Sequence, residues 1–209
     1  MNYIMTDLLL TGFTPFDRRT VNASWIAARL LEDRAQTLEI PVVWGKPLEI
    51  LAPLCETDCP RTIIAMGEGR EGWFDIETRA RNVRDDRPDN EGTRPSGEPI
   101  LAAGPPHIEA SIDARRLQSA LLAGGFPVRI SADAGAFLCE EMLYSLELLR
   151  ERHDRLETVA FIHLPPFGTR LHASGRPRYC DEALLADFTR VLLDAVAGAS
   201  NPAENVHNA

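Results

Sequence analysis

Cys139 lies in the stretch "ADAGAFLCEEMLYSLELLRER", residues 132–152, where a Gly-containing loop gives way to a helical pattern. A thiol kept for packing can sit anywhere on an apolar face. At a helix start it meets the positive end of the helix dipole and unpaired backbone N–H groups, a setting that favours the thiolate. Thiol catalysis also needs an imidazole to serve as base and then acid, and a group that orients the imidazole. Among five histidines, His163 stands out, because "TVAFIHLPPFG" places it at the C-terminal end of an apolar strand pattern, the edge of an open α/β sheet where sites form. His107, His153, His172 and His207 sit in polar or tail contexts. The orienting acid cannot be chosen by spacing from 31 carboxylates, although Glu77 in "DIETRARN" falls in an irregular segment. Residue types alone therefore lead to a Cys and His pair suited to acyl transfer.

The elements around this pair alternate short apolar runs with stretches of helical period, the pattern of a three-layer α/β/α sandwich around a mixed, largely parallel sheet. The strand candidates are "DLLLT", "PVVW", "TIIAM", "PVRIS" and "TVAFIHL". "NASWIAARLLEDR" and "DARRLQSALLAGG" read as crossover helices, the second ending in a Gly pair, and Asn22 or Ser24 reads as an N-cap. "CDEALLADFTRVLLDAVAG" predicts a terminal helix, with Leu184, Leu185, Phe188, Val191, Leu192 and Val196 recurring at three- and four-residue steps. Gly67 to Pro99 and Pro165 to Arg178, rich in Gly, Pro and Arg, read as functional loops. One α/β unit is expected over residues 1–198, with a disordered polar tail over 199–209.

Composition closes off several classes. A net charge of -9 and the lack of a basic stripe argue against nucleic-acid binding, which rests on clustered Lys and Arg. No apolar run approaches the roughly 18 residues of a membrane span. The start "MNYIMTDLLLTGF" lacks a basic segment followed by a long apolar core, so a cytoplasmic location is expected. Cys55, Cys59, Cys139 and Cys180 are irregularly spaced, which speaks for reduced thiols. "CETDC" has no second Cys or His cluster at zinc spacing, so a metal is not expected.

Four motifs, in order along nearly the whole chain, resemble the pyroglutamyl peptidase I family of cysteine peptidases. They are "LLLTGFTPFDRRTVNASW", "IETRARN" followed by "RPDNEG", "DAGAFLCEEMLY" and "FIHLPPF". The resemblance implies a cytoplasmic enzyme without cofactor that releases N-terminal pyroglutamate from peptides, often as a dimer or tetramer. It implies Cys139 as nucleophile, His163 as acid and base, and Glu77 as the carboxylate that orients the imidazole. It further implies that Phe13, Phe16 and Phe137 clasp the lactam ring, a flat and weakly polar group suited to aromatic faces, and that Arg87 lies near the centre.

The chain also departs from that family. "GEGREG" puts Glu68 where a glutamine commonly frames the substrate, "FDRR" replaces Phe-Gly-Gly, and Glu140 stands where asparagine usually follows the nucleophile. A carboxylate at Glu140 is expected to oppose a neighbouring thiolate. These changes keep two alternatives open: a related cysteine amidase for another small cyclic or acylated amide, and a catalytically silent relative that binds ligands.

Overall fold

The computed structural model describes residues 7–172 and 176–198; the tail expected at 199–209 lies outside them. Six strands form one sheet: β1 (Leu8–Phe13), β2 (Gln36–Ile40), β3 (Thr62–Glu68), β4 (Phe74–Glu77), β7 (Val128–Ser131) and β8 (Thr158–Leu164). Their order is β2-β1-β3-β8-β4-β7. Every pairing is parallel except β4 with β8, which agrees with the expected mixed, largely parallel sheet. Two short strands, β5 (Arg79–Arg81) and β6 (His107–Glu109), pair separately as an antiparallel ribbon.

Strand alternation sends side chains to two apolar layers. Leu10, Ile64, Met66, Ile76 and Ile162 pack with residues of α1 (Ala23–Arg29), α3 (Ala114–Ala123) and α5 (Glu182–Ala197). Leu9, Ile63, Ala65 and Phe161 pack with α2 (Lys46–Asp58) and α4 (Leu138–Arg152) on the other face. Asn22 caps α1 as expected, its side chain accepting from the Ser24 N–H.

Two expectations need correction, and one helix, α2, had no counterpart among the expected elements. "PVVW" is not a strand: the paired segment is Gln36–Ile40, and Pro41, which has no N–H for the ladder, closes it in a turn where Val43 N–H bonds to the Pro41 carbonyl. The expected loop from Gly67 to Pro99 contains β4, a central strand. Phe74 and Ile76 face one apolar layer while the alternating Asp75 and Glu77 face the other side, so the strand reads as polar. Helix α2 carries Pro53 in its interior, which costs about 3 kcal/mol and masks its helical pattern; burial of Leu51 and Cys55 against the sheet holds it in place.

Helix α4 is the most heavily buried of the helices, and four of its polar side chains, Glu140, Glu141, Ser145 and Glu147, are almost wholly out of water. Its three buried carboxylates act as anchors. Glu141 takes the Arg84 guanidinium in two bonds of 2.8 and 2.9 Å and the Gly45 N–H, while Glu147 takes Ser111 and Arg150. Buried charges of this kind persist only when paired, so the loops that supply the partners are fixed against the helix whose first turn carries Cys139.

Candidate active site

Cys139 occupies the first turn of α4, as its sequence setting implies. Ala136, just before the helix, has a left-handed φ of 58°, and its carbonyl accepts the Asp85 N–H at 2.8 Å. The first helical backbone bond runs from Glu141 N–H to the Phe137 carbonyl, so the amides of Leu138, Cys139 and Glu140 precede the helical ladder and remain available to an anion.

The sheet register brings the other two residues beneath the thiol. Asp75 of β4 stands opposite His163 of β8, so Glu77, two residues on, shares the face of His163 as its diagonal neighbour. His163 Nδ1 lies 2.8 Å from Glu77 Oε1. An ionised carboxylate only accepts, so Nδ1 carries the proton and Nε2 is left for the thiol. The second oxygen of Glu77 is buried with no hydrogen-bond partner among the described residues. On the other side of β8, Gly67 of β3 pairs in register with His163, and a Cβ there would stand 2.7 Å from the Cys139 sulfur. A side chain at Gly69 would strike the His163 Cβ at the same distance. The two glycines make the space in which sulfur and imidazole meet.

His163 is buried, which by itself pushes an imidazole toward the neutral form. The Cys139 thiolate and its hydrogen bond, and then Glu77, outweigh this and raise the pKa to about 10. The imidazole beside the Cys139 sulfur is thus held as an imidazolium across neutral pH. Two other thiols are held protonated. Burial, with Cys59 beside it, pushes Cys55 up to about 12, and burial with Glu68 and Asp181 pushes Cys180 up to about 12.

A cavity of about 200 Å³ opens beside the thiol, lined by Phe13, Phe16, Glu68, Arg87, Phe137, Cys139, His163 and Glu77 among others. All eight residues singled out in the sequence therefore meet at one place. The aromatic wall is braced by its neighbours: Trp44 meets the Phe137 ring edge-on at 5.0 Å, and the Arg87 guanidinium lies 3.7 Å from the centre of that ring. Phe16 stands tilted to Phe137 with ring centres 6.4 Å apart. Four further polar residues of the cavity lining, Arg70, Asp75, Ser131 and Asp133, were not found by sequence reasoning. Asp75 carried a usable signal, its two-residue spacing from Glu77; Ser131 ends β7 and Asp133 lies in the turn that joins β7 to α4, so both reach the cavity only through the fold.

The chain matches the pyroglutamyl peptidase family model over residues 6–193. A pyrrolidone-carboxylate peptidase of Erwinia tasmaniensis is 35% identical over 170 residues, covering 77% of this chain and 78% of that protein. One from Bacillus thuringiensis subsp. konkukian is 32% identical over 169 residues, covering 77% and 79%. The chain belongs to the pyroglutamyl peptidase family. Among solved structures, pyroglutamyl peptidase I of Bacillus amyloliquefaciens superposes with a TM-score of 0.78 at 28% identity, covering 92% of this chain and 96% of that one. A mutant pyrrolidone carboxyl peptidase of Pyrococcus furiosus gives 0.79 at 25% identity, covering 92% and 99%.

Within this pyroglutamyl peptidase fold the unusual Glu140 does not act as an uncompensated charge. Its carboxylate is fully buried and bonds to the backbone N–H and guanidinium of Arg81 and, at 3.0 Å, to the Ala136 N–H. The expected opposition to the thiolate is therefore offset by the Arg81 cation, and the side chain instead ties β5 to the turn before the nucleophile. No helix among the described residues is long and apolar enough to cross a membrane.

Proposed function

We propose that Cys139, His163 and Glu77 carry out the family's reaction, release of N-terminal pyroglutamate from peptides. The observation that carries this assignment is the buried His163 bridging Glu77 and Cys139 at the wall of a cavity faced with phenylalanine rings. Phe13, Phe16 and Phe137 receive the flat, weakly polar lactam against their aromatic faces. The Cys139 thiolate attacks the carbonyl carbon that joins pyroglutamate to the next residue, forming a C–S bond and an oxyanion met by the free amides at the start of α4. His163 gives its Nε2 proton to the leaving nitrogen as the C–N bond breaks. Water then attacks the thioester, passing a proton back to His163. The thiolate leaves and pyroglutamate is released. Throughout, Glu77 keeps Nδ1 protonated and the ring aimed at the sulfur.

Peptides with a blocked pyroglutamyl N-terminus are the proposed substrates. A reducing, cytoplasmic setting suits the four thiols, all of them unpaired. Assembly into a dimer or tetramer is the family expectation, and light scattering sizes it. Turnover of a fluorogenic pyroglutamyl amide beside acetyl, prolyl and glutamyl amides tests the function: cleavage of the pyroglutamyl compound alone supports it. Preference for another acyl group would transfer the site to a different amide, and no turnover with any of them would point to a silent relative.

A further inference from the structure

The two departures from the family pattern on either side of the cavity, "FDRR" and Glu68, touch each other. Glu68 ends β3 with a side chain only 2% exposed, and it lines the cavity. One of its oxygens pairs with the Arg19 guanidinium. The other accepts the Ala23 N–H at 2.8 Å and lies 3.5 Å from the Phe167 N–H. Each oxygen of the carboxylate is thus engaged by the protein itself, which makes Glu68 a fastening for surrounding segments more than a free ligand for substrate.

The segment it fastens carries Phe16. Directly after that ring, Asp17 and Arg18 take left-handed φ values of 51° and 62°, a conformation that costs a non-glycine residue about 1–2 kcal/mol. Arg19 closes the turn, its N–H bonding to the Phe16 carbonyl at 3.0 Å and its guanidinium lying 5.6 Å from the Phe16 ring centre. Upstream the loop is held by Asn90, which donates to the Pro15 carbonyl at 2.9 Å. Downstream of the ring, a strained turn keeps its shape only if its far side is held. The ion pair with Glu68 holds it. A buried carboxylate in turn needs its cation, so each residue fixes the other.

We propose that Arg19 is a positioning residue that, through Glu68, holds Phe16 over the cavity that receives the pyroglutamyl ring. This rests on the reading of that cavity as the acyl site. The pair substitutes charge attraction for the conformational freedom that glycines would give the same loop.

The test is steady-state turnover of pyroglutamyl 7-amido-4-methylcoumarin by Arg19→Ala, Arg19→Lys, Glu68→Gln, Phe16→Ala and the doubles Arg19→Ala/Glu68→Gln and Arg19→Ala/Phe16→Ala. The rate of Cys139 alkylation by iodoacetamide, which needs no acyl pocket, is measured alongside. Arg19→Ala is expected to raise KM about tenfold while kcat changes less than about threefold and alkylation is unchanged, the pattern of lost substrate positioning. Arg19→Lys should recover most of the loss. The first double should be no worse than Glu68→Gln, and Arg19→Ala should add nothing once Phe16 is gone. An unchanged KM in Arg19→Ala, or effects that multiply in either double, would overturn the proposal while leaving the function intact. Absence of pyroglutamyl turnover in the unaltered protein would overturn both. Should Glu68→Gln fail to fold, the Arg19 variants and their Phe16 double decide the matter alone.

Discussion

A Cβ built on Gly67 would stand 2.7 Å from the sulfur of Cys139, closer than nonbonded atoms approach. The glycine is the floor on which the nucleophile rests, in register with His163 one strand away. Gly67→Ala is therefore expected to push the thiol off line with the imidazole. Displacements near 1 Å cost about a hundredfold in rate, so kcat should fall by about that factor while thermal unfolding moves little. A Gly67→Ala enzyme with normal kcat would show that the sulfur can move aside without cost.

Cys139→Ala should abolish turnover with the fold intact, whereas Cys55→Ala, Cys59→Ala and Cys180→Ala should stay active. Iodoacetamide at neutral pH should label Cys139 far ahead of Cys55 and Cys180, since burial holds those two up at about 12. Peptide mass spectrometry locates the adduct. Labelling of Cys55 or Cys180 at a comparable rate would contradict this.

The raised pKa of His163 has a signed consequence for stability. An unfolded imidazole titrates near 6.5, the folded one near 10, so between these values the native state binds the extra proton. Stability from this group is whole below about pH 6.5 and is lost as pH rises through 10, with a limiting slope of about 1.4 kcal/mol per pH unit. Urea unfolding from pH 6 to 10 should show this decline in the native protein and a shallower one in His163→Ala. Equal slopes in the two proteins would place the proton elsewhere.

Phe13 and Phe16 face the same cavity but should respond differently to truncation. Phe13 is 3% exposed and belongs to the apolar layer, whereas Phe16 is only partly buried and packs at that layer's edge. Phe13→Ala should cost about 3–5 kcal/mol in unfolding free energy as well as substrate affinity. Phe16→Ala should raise KM with less than about 1 kcal/mol lost. Denaturation curves paired with KM values distinguish the two.

Replacing Glu140 by Gln should leave Arg81 without its buried partner and loosen the turn at Ala136. Because Arg81 is half-exposed and keeps Asp133 as a partner, losing its bonds to Glu140 should cost about 1–3 kcal/mol, read as a fall in the unfolding midpoint, and kcat should drop with it. Stability equal to that of the native protein would mean the Arg81 contact contributes nothing net.

The amino-acid sequence by itself determined the layered architecture, because the apolar periods of "TIIAM", "TVAFIHL" and the terminal helix can be buried in few ways. It also marked Cys139 and His163, whose signals are local: a helix start and a strand end. Everything that depends on one segment lying beside another was decided by the tertiary structure. Glu77 is one of 31 acids until β4 docks antiparallel to β8 and sets it diagonally from His163. The strand that carries it was hidden because its alternate positions bear the buried acids Asp75 and Glu77 instead of apolar side chains. Likewise "EE" after the nucleophile reads from the sequence as charge set against the thiol, and only β5 with Arg81 and the segment with Arg84 make those charges bearable inside. Arg19 and Glu68 lie 49 residues apart and carry no shared local pattern. Their pairing exists because β3 ends where the Phe16 loop returns, a coincidence of backbone paths that periodicity and propensity, which act over single elements, do not encode.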